Sequence, residues 1–550
     1  MENVFRPKFF SVLKQGYTKK MFQTDFLAGI IVGIVALPLA IAFAVASGVS
    51  PEKGLITAIV AGFIISVLGG SRVQIGGPTG AFIVVVAGIV NQYGFSGLMI
   101  ATMMAGVLLI LFGVLHLGSV IKFIPHPVVV GFTSGIALTI FTTQIKDALG
   151  LTIEGKLPAA FLSKWATMIA NFGSINIWAV VLTVITILIS VYFVKITPRV
   201  PGSFVAIIVV TAIAAIFDLP VTTIGSVFGE IPSSISVEVP SFNLSDISNL
   251  VGPAVTIAVL GAIESLLSAV VADGMISGNH RSNTELIAQG IANIASPLFG
   301  GIPATGAIAR TATNVKNGGR TPVAGITHAV TLLLIMLFFG QWAKLIPMSC
   351  LAGVLIVVSY NMSEWRSFVS ICKGTKYDVV VLVVTFLLTV IFDLTVAIEV
   401  GMVLAAFMFM QRMSVQSEVI NLKSKSSDSI DNYSSLPRGI EIYEISGPFF
   451  FGAAKKYRET IRQFGNEAKV LIIRMRHVPF MDATGVRNFS AMLDDLAQID
   501  VHIVLSGVNE VVYKELSRTG LVDKLGAVNV CSNFDIASER AKTVLQELAA

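Results

Sequence analysis

Gly76-Gly77-Pro78-Thr79-Gly80-Ala81 nearly reappears as Gly300-Gly301-Ile302-Pro303-Ala304-Thr305-Gly306-Ala307. Each copy interrupts a hydrophobic stretch with helix-breaking residues and then leads into a short apolar helix. In a membrane protein, two such interruptions at corresponding places in two halves of a chain mark broken helices. Their usual use is a solute site near the bilayer midplane.

The surrounding chain fits that setting. Of 550 residues, 54% are hydrophobic and 13% charged, with a mean hydropathy of +0.82. A soluble domain averages about a quarter charged residues. The apolar residues cluster in runs of roughly 17–25, the length of a membrane-crossing helix. Between Asp25 and Met413 fourteen runs are predicted, centred near residues 36, 62, 85, 105, 135, 186, 210, 261, 292, 311, 331, 355, 386 and 404. Those near 85 and 311 are the short, interrupted ones. Residues 1–24 are basic and aromatic (Arg6, Lys8, Lys14, Lys19, Lys20) and lead into a full-length run. They read as a cytoplasmic N-terminal segment and not as a cleavable signal. Cys350, Cys372 and Cys531 lie far apart and the six histidines show no ligand spacing, so neither a metal nor a cofactor is expected. No nucleophile–base pair and no nucleotide-binding loop is visible. An enzyme and an ATP-driven pump are therefore disfavoured, and no nucleic acid is expected as a partner.

The transmembrane domain is assigned to residues 25–413, with repeat one at about 25–220 and repeat two at about 248–413. Residues 414–437 are polar and rich in serine (Ser424, Ser426, Ser427, Ser429, Ser434, Ser435) and read as a linker. Residues 438–550 look soluble. Short strand-like runs (Ile440–Ile445, Val470–Met475, Val501–Leu505) alternate with amphipathic stretches (Ala453–Phe464, Gly485–Ala497, Glu510–Thr519, Ile536–Leu548), the pattern of a small α/β domain.

Lysine and arginine fall in the links after even-numbered runs: Arg72, Lys122, Lys195 with Arg199, Arg281, Lys316 with Arg320, Arg366 with Lys373 and Lys376, and Arg412. Links after odd-numbered runs are mostly uncharged or acidic (Asp218, Glu230, Glu238, Asp246), apart from Lys53, Lys344 and the mixed link around Lys146–Lys164. The positive-inside rule then puts the even links and both termini in the cytoplasm. The repeat extends beyond the glycine motifs. Ala46 and Gly48 match Ala272 and Gly274 at an offset of 226, and Lys122-Phe123-Ile124-Pro125 with Gly131 matches Lys344-Leu345-Ile346-Pro347 with Gly353 at 222. Seven runs separate each pair, and seven is odd, so the second copy is inverted. The architecture predicted is an all-α polytopic membrane protein of 14 spans in a 7+7 inverted repeat.

Two helix N-termini facing each other present unpaired N–H groups and partial positive charge, which favours a small anion. Thr79 and Thr305 add hydroxyl donors, and Gly80 and Gly306 permit close approach to the backbone. Arg310 lies in the tenth run and Glu264 in the middle of the eighth. Charge at membrane depth is kept for function or buried as a pair. Arg310 therefore either binds the anion or forms a structural ion pair, with Glu264 a candidate partner. Glu264 either carries a coupling proton or is that static partner. Gln289, Asn293, Asp393 and Glu399 read as helix–helix contacts or interface positions.

Val35-Ala36-Leu37-Pro38-Leu39-Ala40-Ile41-Ala42-Phe43 followed by Gly48, the Gly77-Pro78-Thr79-Gly80 turn, and Phe299 through Pro303 with Arg310-Thr311-Ala312-Thr313-Asn314 resemble the sulfate permease (SulP) anion transporters. The soluble part resembles the STAS domain that these carry. The resemblance covers essentially the whole chain. It implies core and gate domains, a homodimer in the inner (cytoplasmic) membrane, and elevator-like movement of the core. The implied substrate site comprises Leu39, Phe43, Thr79, Gly80, Ala81, Ala307, Ala309 and Arg310, joined by Thr305, Gly306 and Ile308 of the same turn, with Glu264 at the coupling position. Sodium-driven bicarbonate members typically have an aspartate where Glu264 stands and a small residue where Arg310 stands. The Ile302–Arg310 string looks more like the bacterial branch with proton-coupled C4-dicarboxylate carriers. Met481-Asp482-Ala483-Thr484-Gly485 resembles the phosphorylated turn of anti-sigma-factor antagonists, with Thr484 at the phosphorylated position. Thr484 is then either a phosphorylation site read by a cytoplasmic protein partner or the cap of the following helix.

Overall fold

A computed structural model describes residues 5–119, 125–153, 157–158, 160–197, 200–229, 237, 247–392, 394–422, 436–464 and 468–549. Lys122, Arg199, Glu230, Glu238, Asp246, Asp393 and the serines at 424–435 lie outside them. The chain divides into two units, Met1–Val403 and Leu404–Ala550.

In the first unit α1 (Lys8–Gln15), α2 (Lys19–Ala46) and α3 (Pro51–Leu68) precede the two-residue strand β1 (Gly76–Gly77). A 3-10 turn at Gly80–Phe82 then opens α4 (Ile83–Val114). α5 (His126–Leu149), α6 (Phe161–Ala170), α7 (Ile177–Ile196), α8 (Gly202–Ile216) and α9 (Ile224–Phe228) complete the first half. The second half runs through α10 (Ile247–Ile276), α11 (Ser282–Leu298), β2 (Thr305–Gly306), α12 (Ile308–Lys316) and α13 (Pro322–Phe339). It continues with α14 (Met348–Met362), α15 (Trp365–Cys372), α16 (Lys376–Ile391) and the start of α17 (Leu394–Gln416), whose residues from Leu404 on fall in the second unit. All fourteen expected centres fall on these helices. The two near 85 and 105 share α4, which Gly94 interrupts with φ 68° and ψ −176°. Among the described residues, seven helices are long and apolar enough to cross a membrane unaided. The shorter ones, such as α12 with 9 residues, are consistent with broken or partly shielded spans.

Packing separates the helices into two sets. α2, α3, α4, α10, α11, α12 and α13 pack on one another, and α5, α7, α8, α14 and α16 form the other set. These are the core and gate expected from the resemblance. The contacts obey the duplication. α2 packs on α13 as α10 packs on α4, and α5 packs on α16 as α14 packs on α7. The matched glycines sit at equivalent seams: a Cβ at Gly131 would lie 2.8 Å from the Leu382 carbonyl of α16, and one at Gly353 would lie 2.8 Å from Thr186 Cβ of α7. Small residues at such seams let helices approach closely where lipid offers no hydrophobic drive. Pro125 and Pro347, also matched, stand at the N-caps of α5 and α14 with φ −67° and −66°. The third pair differs. Gly48 follows the end of α2 with φ 78°, whereas Gly274 lies inside α10.

The second unit is a five-stranded sheet in the order β3-β4-β5-β6-β7. β3 (Glu418–Asn421) is antiparallel to β4 (Ile440–Ser446), and β5 (Val470–His477), β6 (His502–Ser506) and β7 (Val530–Cys531) continue in parallel. α18 (Ala454–Phe464), α19 (Ala483–Ala497), α20 (Glu510–Arg518), α21 (Leu521–Leu525) and α22 (Phe534–Glu547) accompany it. Alternating residues of β5 enter two different apolar clusters. Leu471, Ile473 and Met475 join Phe449, Tyr457 and Phe489, while Val470 and Ile472 join Ala537, Ala541 and Val544. A strand buried on both faces reads as one continuous apolar run, as Val470–Ile473 does. Helix α17 and strand β3 occupy the start of the stretch read as a linker. Four residues, Glu-Val-Ile-Asn, are too short to register as a strand beside so many serines.

Candidate functional site

The two glycine motifs meet. Gly76 and Gly77 pair antiparallel with Gly306 and Thr305, and the Ala307 N–H extends the contact by donating to the Ile75 carbonyl at 2.9 Å. Two of these positions favour glycine. Gly77 has φ 149°, and a Cβ there would strike the Arg310 guanidinium. A Cβ at Gly306 would collide with the Gln74 side chain.

Polar side chains from α10, α11 and α12 hold the crossing. Thr305 Oγ1 donates to the Gly261 carbonyl at 3.2 Å. Ser265 Oγ therefore donates to Thr305 Oγ1 at 2.6 Å, and it accepts from the Gly306 N–H at 3.1 Å. Thr311 Oγ1 accepts from the Ile75 N–H at 3.0 Å and from Ser268 Oγ at 3.2 Å. Asn293 brackets Ala304, donating to its carbonyl at 2.8 Å and accepting from its N–H at 2.9 Å. Such a network satisfies the backbone groups that irregular chain exposes at membrane depth.

Thr79 precedes the 3-10 turn and Ala307 precedes α12, and neither end is capped by a side chain. Glu264 is half-buried, and its Oε2 accepts from Thr79 Oγ1 at 2.8 Å. Arg310 is 1% exposed. Its Nη2 donates to the Pro78 carbonyl, while Nη1 has no hydrogen-bond partner. Carboxylate and guanidinium thus bond to adjacent residues of the first-repeat turn and not to each other. Leu39 and Phe43 lie one turn apart on α2, Leu39 partly exposed and Phe43 buried. A Cβ at Gly80 would lie 3.5 Å from Phe43 Cε1 and 2.8 Å from Met362 Sδ. Ala81 and Ala307 are buried, whereas Ile308 and Ala309 are exposed.

Phe43, Glu264 and Arg310 therefore converge on the Pro78–Gly80 turn, and the expected residues have different tasks. Thr79, Glu264, Ile308 and Ala309 reach accessible space, while Thr305 and Gly306 are consumed in the scaffold. Sequence reasoning passed over Ser265, Gln74, Thr311 and Met362. Ser265 follows Glu264 directly and was legible as a second polar residue in an apolar run. Met362 carries no such signal, because its place depends on how α14 packs. In the second unit Asp482, and not Thr484, caps α19: its Oδ1 accepts from the Gly485 N–H at 2.6 Å and its Oδ2 from the Phe451 N–H at 3.0 Å. Thr484 lies within the first turn with its side chain exposed, so the capping alternative is corrected.

Discontinuous helices from two repeats, joined backbone to backbone inside an apolar multi-helix unit, are the arrangement of a multi-pass membrane transporter. Residues 22–385 match the model of the sulfate permease family and residues 436–537 that of the STAS domain. The chain belongs to the sulfate permease family. It is 41% identical over 535 residues to the putative sulfate transporter YvdB of Bacillus subtilis, covering 96% of this chain and 99% of that one. It is 32% identical over 480 residues to the bicarbonate transporter BicA of a Picosynechococcus species, covering 84% of each. Murine Slc26a9, an anion transporter solved in the inward-facing state, shares the fold with a TM-score of 0.88 at 19% identity, over 98% of this chain and 94% of that one. The transmembrane domain of a cyanobacterial BicA superposes with a TM-score of 0.62 at 28% identity, over 70% of this chain and 98% of that domain.

Proposed function

We propose that this protein is a secondary active transporter of small anions, coupled to protons and working by an elevator-like movement of the core against the gate. The observation that carries the reading is the β1–β2 crossing, which sets two uncapped helix starts beside Thr79 and Glu264. Helix N-termini supply positive potential without a free cation, and the buried Arg310 adds a fixed charge directly behind Pro78. Bound anion would sit in front of the Thr79–Gly80 turn and the exposed start of α12, with Leu39, Phe43 and Met362 as the apolar wall. Glu264 is the coupling residue because it touches that turn through one hydroxyl alone. Protonation would free Thr79 to turn its hydroxyl hydrogen toward the anion.

For the substrate we favour sulfate or a C4-dicarboxylate. Relatives named for sulfate support the first, and the Ile302–Arg310 string supports the second. The alternatives are sodium-coupled bicarbonate transport, favoured by the similarity to proteins named as bicarbonate transporters, and an uncoupled anion exchanger or channel in which Glu264 is only structural. In the same reading the protein is a dimer of the inner membrane with both termini cytoplasmic. The exposed Thr484 would then be a phosphorylation site through which a cytoplasmic partner acts. A counterflow panel in proteoliposomes with sulfate, succinate, fumarate, bicarbonate and chloride, with and without an inward proton gradient, tests the proposal. Gradient-stimulated uptake of one of the first three is expected. Uptake that follows sodium and not protons would select the first alternative. Binding without flux would make the membrane half an anion sensor for the STAS domain.

A further inference from the structure

A cavity of about 460 Å³ opens between α5, α14, α15 and α16, within the size range of about 300–1,000 Å³ typical of small-molecule sites. Its walls are apolar: Ala137, Leu138 and Phe141 from α5 face Val369 of α15 and a T-shaped pair of Phe368 and Phe386, 5.4 Å between centroids. A second cavity of about 300 Å³ adjoins it, sharing Tyr360 and Trp365 and adding Asn361, Glu364 and Arg366. The shared aromatics form a built rim. Trp365 Nε1 donates to Tyr360 Oη at 3.2 Å, and the Arg366 guanidinium lies 5.4 Å from the Trp365 ring. Tryptophan and tyrosine rims of this kind mark the level of lipid headgroups. Glu364 holds the left-handed conformation with φ 44°, a strained backbone for a residue with a side chain. Among the described residues Glu364 and Arg366 form no ion pair with each other.

We infer that these joined cavities bind one zwitterionic glycerophospholipid. An acyl chain fills the apolar chamber, the phosphate meets Arg366 and the headgroup ammonium meets Glu364. A purely anionic headgroup would leave Glu364 beside like charge, and a detergent-like tail alone would leave both ions unused. Because the chamber lies among the gate helices α5, α14 and α16 and the short α15 that packs on two of them, the lipid would brace the part of the protein against which, on the function proposed above, the core moves.

The test is photolabelling of the full-length protein in liposomes. The probes are a phosphatidylethanolamine with a diazirine in its acyl chain and the matching phosphatidylglycerol, with labelled peptides located by mass spectrometry. Label from the ethanolamine probe should concentrate on α5, α14 and α15. Leu138→Trp and, independently, Val369→Trp should lower it about tenfold, equivalent to about 1.4 kcal/mol. The double variant Glu364→Gln with Arg366→Gln should erase an ethanolamine-over-glycerol preference of about two- to fivefold while leaving labelling in place. Label spread evenly over the outer helices, or undiminished by both tryptophans, overturns the proposal. Absence of label here together with protomer cross-links at Tyr360 also overturns it, giving the cavity to a second copy of the chain.

Discussion

Arg310 shows how one side chain serves both repeats. It leaves α12 of the second repeat and hydrogen-bonds Pro78 of the first, so its charge lies beneath the turn proposed to face the substrate. Arg310→Ala should weaken anion affinity roughly ten- to a hundredfold, the loss of a charge-assisted interaction of about 1.5–3 kcal/mol. Initial uptake rates against substrate concentration measure this, and unchanged affinity removes the residue from the site. Glu264→Gln should abolish stimulation by an inward proton gradient while exchange at equal pH persists. Stimulation that survives would place the coupling proton elsewhere. Asp25 is a contrast. Its carboxylate, 1% exposed, accepts from the Arg320 N–H at 2.8 Å, from Thr321 through both N–H and hydroxyl at 3.2 and 2.6 Å, and from Tyr17 Oη at 3.0 Å. Asp25→Ala strands these donors and should cost about 2–4 kcal/mol. It should appear as a lower melting temperature in detergent with the remaining molecules keeping normal substrate affinity.

At the scale of elements, the helix-breaking motifs were legible because glycine and proline clustered inside an apolar run interrupt any helix that tries to pass through them. Their partnership was legible only as a repeat. That they would join as β1 and β2 was not, because two residues carry no period. The same limit hid β3. Glu264 and Arg310 stood out by charge alone, but their separate bonds to Thr79 and Pro78 depend on how α10 and α12 approach the turn. Gly131 and Gly353, matched by sequence offset, proved to occupy equivalent seams. Gly131→Ala and Gly353→Ala should therefore destabilise by similar amounts, about 1–3 kcal/mol each, since both seams are already closed to a methyl group. Melting of the two variants side by side checks this, and a large disparity would argue against equivalent packing. For the second unit, a fragment beginning at Gly439 exposes the edge of β4 that β3 normally covers, and bare edges promote association. It should aggregate by light scattering at concentrations where one beginning at Ser417 stays monomeric.

For the whole molecule, the membrane unit contains both repeats and its own packing sets, so ending the chain after Ser417 should leave a folded helical unit. Its chromatographic profile in mild detergent should stay sharp, and collapse into aggregate would show that the second unit is needed for folding. The β1–β2 ladder carries a different consequence, for ancestry. Each repeat brings one rail of the ladder, while the polar side chains that hold it come from the second repeat, so neither could assemble the seat alone. A forebear half this length would have needed a twin inserted head-down in the same bilayer, and fusion of the two genes would have made that chance encounter permanent.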